Sequence, residues 1–190
     1  MKIVVGITGA TGTVFGVRTL QVLKDAGVET HLVMSKWGAR TLLQETPHTV
    51  EYVKSLATVA YSDADQGAPI SSGSFLTDGM IIAPCSVRTL AAVANGHGDN
   101  LVHRAADVIL KERRKLVMMV RETPLSDIHL ENMLKLSRMG VVMTPPMPAF
   151  YNNPQSLDDV VNHIVMRALD AVGVHVDVVS RWEGMNYQRP

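Results

Sequence analysis

Apolar residues cluster in short runs at 3–7, 29–34, 79–83, 116–120 and 141–143, each bounded by glycine, proline or polar residues. Between them the apolar spacing becomes helical, near 13–26, 36–46, 50–57, 86–95, 99–113, 127–139 and 156–172. In the first helix Val14, Val17, Val22 and Leu23 fall on or near one stripe. Nearly continuous apolar strands alternating with helices predict a parallel sheet covered on both faces. Local end signals agree with this reading. Ser156 with Asp159 three residues on forms a capping box, Pro124 suits the first helical position after Thr123, and Gly140 and Gly173 suit helix C-terminal stops. The stretch 62–79 has no period of its own, and connections of that length in compact domains usually carry function.

Composition narrows the class. The chain has 190 residues, 46% of them hydrophobic, which suits one domain over 1–190 with a substantial core. Its 18 basic and 18 acidic residues cancel, so there is no electrostatic case for nucleic acid or an anionic membrane. Cys85 is the only cysteine, which excludes an internal disulfide and makes a reducing, cytoplasmic setting the expectation. The first run starts at residue 2 or 3, leaving no room for a signal peptide, and no apolar run is long enough to span a bilayer.

In an open α/β sheet, ligands bind beyond the carboxyl ends of the strands, so the turns there hold the candidate chemistry. "GITGATG" (6–12) spaces its glycines G-x-x-G-x-x-G, not the dinucleotide G-x-G-x-x-G. Its exposed amides, with the hydroxyls of Thr8, Thr11 and Thr13, suit an anion at a helix N-terminus. The second run ends in Ser35 and Lys36 rather than an acid, which fits a phosphate or a flavin ribityl chain better than an NAD ribose. In "APCSVRTLAAVANG", Ser86 or Cys85 caps the next helix, whose first amides form a second anion cradle; Cys85 reads as a small buried thiol, and Arg88 as either solvated or directed at a ligand. On the 99–113 helix Arg104, Asp107, Lys111 and Arg114 form a polar stripe, by itself a solvated face with an Asp107–Lys111 pair worth about 0.3–0.5 kcal/mol. Arg121 and Glu122 leave a strand end, either as a phosphate clamp with a proton-handling carboxylate or as a structural pair. His129 reads as a surface or core-edge histidine, and none of the seven histidines has metal-ligand spacing with another. "TPPMPAFYNNPQS" holds Phe150 and Tyr151 on a proline-stiffened loop, and Trp182 near the C-terminus is free to cover a ligand or a second subunit.

Taken in order, "GITGATG", "HLVMSKW", "ISSGSF", "APCSVRTLA", "RAADVILKERRKLV", "RETPLSDIHLENML", "PPMPAFYNNPQS" and "RW" resemble the UbiX-like flavin prenyltransferases, in particular the small B subunits that accompany aromatic acid decarboxylases. The resemblance runs from residue 3 to 184. It implies a flavodoxin-like or Rossmann-like doubly wound sheet and trimers paired into dodecamers. It also implies metal-independent joining of dimethylallyl phosphate to reduced FMN, at N5 and C6. The prenylated flavin would serve a UbiD-type decarboxylase. By position, FMN contacts fall on Gly9, Ala10, Thr11, Ser35, Ser86, Val87, Arg88, Thr89 and Arg121. Prenyl phosphate contacts fall on Thr11, Arg104, Lys111, Arg121, Glu122, Tyr151 and Arg167, with Trp182 lining the prenyl pocket and Glu45 a carboxylate near the reacting centre. On this reading Glu122, Glu45, Lys111 and Thr11 are the catalytic set, and the cations of the 99–113 helix reach across a subunit boundary. Thr11 replaces a frequent serine, and Arg88 stands where Met, Lys or Gly is common. A flavin-dependent cysteine decarboxylase would carry "PASANT" and "PxMN" where this chain has "PCSVRT" and "PPMPAF"; a flavin carrier without catalysis is the remaining alternative.

Overall fold

The computed structural model describes residues 1–185. Its strands are β1 (Lys2–Ile7), β2 (Glu29–Met34), β3 (Val59–Ser62), β4 (Gly79–Cys85), β5 (Lys115–Val120) and β6 (Val142–Met143). The helices are α1 (Thr13–Asp25), α2 (Lys36–Glu45), α3 (Val50–Leu56), α4 (Val87–Ala94), α5 (Leu101–Lys111), α6 (Asp127–Arg138) and α7 (Leu157–Val172). All pairings are parallel, in the order β3-β2-β1-β4-β5-β6. That is the Rossmann order; without the edge strand β3 it is the flavodoxin order, so both halves of the expected fold class hold.

Alternate residues of each central strand feed opposite cores. Ile3, Val5, Ile7, Ile81, Ala83, Val117 and Met119 pack with α1, α2, α3 and α7; Val4, Met80, Ile82, Leu116 and Met118 pack with α4, α5 and α6. Burial on both faces is why these strands read as unbroken apolar runs. β3 was not expected, because it is four residues long, pairs only with β2, and leaves Val59, Ala60 and Ser62 exposed. Reciprocal bonds from the Thr30 amide to Thr58 Oγ1 (3.0 Å) and from the Thr58 amide to Thr30 Oγ1 (3.1 Å) moor its start.

Other local expectations need correction. Pro84 does not end its strand but lies within β4, at a shift in register between Ile82 and Cys85. Pro124 does not open α6, which begins at Asp127 with Ser126 as N-cap; the Ser126 amide donates to His129 Nδ1 at 3.1 Å. Val14 leaves its stripe and is 39% exposed. The long connection is moored rather than free. A single turn at Pro69–Ser71 buries Ile70, while Arg114 donates to the carbonyls of Gly73 (2.7 Å) and Phe75 (3.0 Å). Arg114 is therefore a fastener, not part of a solvated face. Among the described residues, no helix is long and apolar enough to cross a membrane.

α1 crosses the sheet with Gly16 against β4. A Cβ there would stand 2.3 Å from the Ala83 carbonyl oxygen and 2.9 Å from the Ile7 side chain. Alanine in an exposed helix stabilises by about 1 kcal/mol relative to glycine. Here Gly16→Ala should reverse the sign and cost about 1–3 kcal/mol through overpacking, read as a lower urea midpoint at unchanged slope.

Candidate functional site

Strand order reverses between β1 and β4, and the crevice beyond their carboxyl ends is a cleft of about 740 Å³. Thr8, 1% exposed, ties its two sides together. Its hydroxyl donates to the Pro84 carbonyl at 2.9 Å and accepts from the Ser86 amide at 2.8 Å. Ser86, not Cys85, caps α4, accepting from the Thr89 amide at 3.3 Å. Cys85 is fully buried, and burial pushes its thiol well above the ordinary range. Val87 and Arg88 bear the first helical amides, and among the described residues neither has a side-chain or loop acceptor, so they face the cleft as an anion cradle. Ser35 similarly caps α2 through the Gly38 amide at 3.0 Å.

The N-terminus of α1 is arranged differently. Glu45 Oε2 accepts from the amides of Gly12 (2.9 Å) and Thr13 (3.1 Å) and from the Thr13 hydroxyl (3.0 Å). The carboxylate at the end of α2 thus takes the seat that sequence reading offered to a phosphate. Desolvation alone would raise its pKa; the hydroxyl of Thr11 and the bonds from Thr13 and Gly12 outweigh it and hold the carboxyl below 4.5. Glu45 does not line the cleft of its own chain; in this structure it holds the turn that carries Thr11.

The expected flavin residues Gly9, Ala10, Thr11, Ser35, Ser86, Val87, Arg88, Thr89 and Arg121 all line this cleft, and so does Glu122. Gly9 has no room for a side chain, since a Cβ would stand 2.4 Å from Trp37 Cβ. The Arg121 amide donates to the Cys85 carbonyl at 3.0 Å, while the Glu122 carboxylate accepts from the Thr123 amide at 3.0 Å. No ion pair joins Arg121 to Glu122 among the described residues, which favours the clamp reading over the structural pair.

Sequence reading missed Trp37, Arg40, Asp63, Asp99, Asn100 and His103, which line the same walls. They come from loops and first helical turns and carry no periodic signal. Asp99 accepts from Arg88 Nη2 at 3.0 Å, with the Arg88 side chain largely exposed. His103 Nδ1 lies 2.8 Å from Asp99 Oδ1. Burial lowers the His103 pKa, against the opposing pull of Asp99.

The remaining candidates lie elsewhere on the chain. Arg104 borders a smaller pocket of about 220 Å³ that shares the His103 wall; it bonds the Ser71 carbonyl at 3.1 Å and Asp107 at 2.8 Å. Asp107 therefore pairs with Arg104, not with Lys111, which turns to Glu112. Tyr151 donates to or accepts from His163 Nε2 at 3.0 Å and packs edge-on against Trp182 at 5.4 Å, with Phe150 left 75% exposed. Arg167 lies 3.7 Å from Asp170. Lys111, Tyr151, Arg167 and Trp182 do not line the cleft of their own chain.

A doubly wound sheet opens its ligand crevice at the switch point, and the family model described as Flavoprotein matches residues 1–169, which makes the chain a flavoprotein. A Bacillus subtilis protein named as a probable UbiX-like flavin prenyltransferase is 59% identical over 189 residues, covering 100% of this chain and 93% of the relative. The mitochondrial flavin prenyltransferase of Saccharomyces cerevisiae is 56% identical over 97% of this chain and 76% of its own. A dodecameric FMN-dependent UbiX-like decarboxylase from Escherichia coli O157:H7 superposes with a TM-score of 0.95 at 58% identity, covering 97% of this chain and 100% of that one. A UbiX structure in complex with FMN and dimethylallyl pyrophosphate has a TM-score of 0.95 at 49% identity, covering 97% and 98%. The chain belongs to the UbiX-like flavin prenyltransferases. The cysteine decarboxylase of thioviridamide biosynthesis, at 14% identity and a TM-score of 0.64 over 90% of this chain and 98% of its own, shares the fold alone.

The Glu45 cap yields a test with a defined sign. Its folded pKa is lowered, so its contribution is present above pH 4.5 and is lost as pH falls through the lowered value. Glu45→Gln should cost about 0.5–1 kcal/mol at pH 7, the modest size reflecting an exposed carboxylate. In denaturant titrations at pH 7 and pH 3.5, the gap from the natural chain should narrow at the lower pH.

Proposed function

We propose that this protein joins the dimethylallyl group of dimethylallyl phosphate to reduced FMN, releasing phosphate without a metal, and that the product serves a UbiD-type aromatic acid decarboxylase. The observation that carries the reading is the convergence of Thr11, Ser86, Val87, Arg88, Thr89 and Arg121 on one cleft of about 740 Å³. Its chemistry fits a flavin mononucleotide: free helical amides and hydroxyls for a phosphate, a glycine at Gly9 where a side chain cannot stand, and the indole of Trp37 alongside. The relative bound to FMN and dimethylallyl pyrophosphate supports the same pair of ligand classes. Its donor carries one phosphate more than the one proposed here. Neither the carrier reading nor direct decarboxylation is favoured by any feature of the cleft.

Reduced FMN, when bound, supplies the nucleophilic N5 and the C6 carbon. Everything else falls to the chain. Ser35, Ser86 and Thr89 orient the mononucleotide, and the amides of Val87 and Arg88 hold its phosphate. Arg121 faces the departing phosphate of the donor and stabilises its growing charge, where a preorganised cation is worth most. Arg104, Lys111, Arg167 and Tyr151, turned away from their own cleft, complete that cluster from neighbouring copies in a trimer-based assembly. Trp182 covers the allylic group, whose cationic character in the transition state is stabilised by an aromatic face. Glu122 stands at the strand end to move the proton released as the second bond closes, while Thr11, steadied by Glu45, lines the wall beside the leaving group. A reducing, cytoplasmic setting belongs to the same proposal, in keeping with a chain that has one cysteine.

Anaerobic incubation with reduced FMN and dimethylallyl phosphate should yield flavin heavier by one C5H8 unit on mass spectrometry. A parallel reaction with the pyrophosphate separates the two donors. Lys111→Ala should abolish that product while FMN remains bound. Bound flavin of unchanged mass with either donor would leave the chain a carrier and overturn the reading.

A further inference from the structure

Asp170, at the centre of a charge cluster on α7, has no role assigned so far. α7 presents His163, Arg167 and Asp170 at i, i+4 and i+7, a single stripe of the helix. Each meets something off the helix or beside it: His163 meets Tyr151, while Asp170 meets Arg181 and His175. Asp170 is the best buried charge of the group, its side chain 15% exposed. Arg181 grips it with two nitrogens, Nη1 at 2.8 Å and Nη2 at 3.0 Å, in the fork geometry that only arginine offers a carboxylate. The same guanidinium donates from Nε to Asp177 at 2.7 Å and from Nη2 to the Val176 carbonyl at 2.9 Å. His175 Nδ1 lies 3.0 Å from the second Asp170 oxygen, and Arg167 Nη1 lies 3.7 Å from the first.

The tail has little else to fix its direction. After Gly173 ends α7, Val174 is buried in the core, and Val176 and Val178 pack against it. From there to residue 185 the chain has no helix or strand. Trp182 is the residue directly after the clamped Arg181, and its ring meets Tyr151 edge-on. Tyr151 sits on the proline-rich loop, and its hydroxyl meets His163 one turn before Arg167.

We propose that Asp170 is a positioning residue: by clamping Arg181 it sets Trp182 against Tyr151 and restrains Arg167, assembling the donor-binding half-site on α7 before any donor arrives. The proposal rests on the prenyl-transfer reading for its kinetic consequence, although the clamp itself does not depend on it. Preorganisation of this kind matters because small displacements of a substrate-holding group cost turnover heavily.

Asp170→Asn keeps the shape and removes the charge, and Arg181→Gln removes the fork from the other side. Labelling with 5-fluorotryptophan gives two fluorine resonances, for Trp37 in the flavin cleft and Trp182 in the tail, assigned with Trp182→Phe. Trp182 is 52% exposed even against Tyr151, so in both clamp variants its resonance should lose the shift due to the Tyr151 ring while the Trp37 resonance stays. Turnover per KM for dimethylallyl phosphate should fall about tenfold to a hundredfold. FMN affinity should stay within about twofold, because the cleft shares no residue with the clamp. Arg181→Lys, which keeps charge without the fork, should fall between the natural chain and Arg181→Gln. A role confined to stability would instead lower FMN binding and donor kinetics together. If Asp170→Asn fails to fold, Arg181→Gln alone decides, since that side chain is 38% exposed. An unmoved Trp182 resonance overturns the clamp, and so does a moved resonance with unchanged donor kinetics. Should the natural chain make no prenylated flavin, the functional reading fails while the fluorine spectra still judge the clamp.

Discussion

One buried hydroxyl sets the geometry on which the site depends. Thr8 closes β1, and its side chain binds the Pro84 carbonyl and the Ser86 amide of β4 and the turn after it, at 2.9 and 2.8 Å. Its own amide adds a third bond to Pro84 at 3.2 Å. At 1% exposure these groups have no water to fall back on, so a lost partner would leave a desolvated polar atom, a cost of about 1–3 kcal/mol. The strap joins the two turns where strand order reverses, and so aims the first amides of α4 into the crevice. A parallel sheet always opens a crevice at that point; Thr8 gives this one a fixed width and a floor of donors.

Charge is then divided with care. Of the helix N-termini that meet at the crevice, α1 is neutralised from within by Glu45, while α4 is left for a ligand. Arg121 faces the same space, but Arg104, Lys111 and Arg167 are turned to carboxylates on their own helices or directly beside them. Those pairs are 34–63% exposed on at least one side and cost little to exchange for a stronger anion. In the proposed function the missing cations come from neighbouring copies. On α6, Leu130 (49% exposed) and Leu134 (51% exposed) stand at i and i+4 on one face that a solitary chain would leave in water.

The fold was readable because its strands are buried on both faces, so that Ile3 to Ile7 or Leu116 to Val120 form runs that no amphipathic helix would make. β3 escaped for the opposite reason, an exposed edge held by backbone bonds to β2 alone. Ser86 as a cap and Ser156 with Asp159 as a box were legible because both partners lie within one turn. Glu45 was not, since its partners Gly12 and Thr13 are more than thirty residues away. Arg114, drawn as one more charge on a helical stripe, turned out to hold a loop some forty residues earlier. The amide cradle at the start of α4 followed from Ser86 as a cap, whereas its assignment to a flavin, with Gly9, Ala10 and Thr89, came only through family resemblance. Asp170 and His163 carried no signal in the sequence, because their partners Arg181 and Tyr151 lie on the tail and a loop outside the helix.

The central claim is that a working site takes its flavin cleft from one copy of the chain and its donor cations from another. Co-expression of Arg121→Ala and Lys111→Ala chains under different tags, with purification through both, gives assemblies containing the two defects on separate subunits. In a cyclic arrangement where each cleft faces a neighbour's Lys111, random mixing of equal amounts restores about a quarter of the composite sites. The account predicts prenylated flavin at roughly that fraction of the natural rate, from parents that make none. Mixed assemblies as inactive as either parent would contradict it.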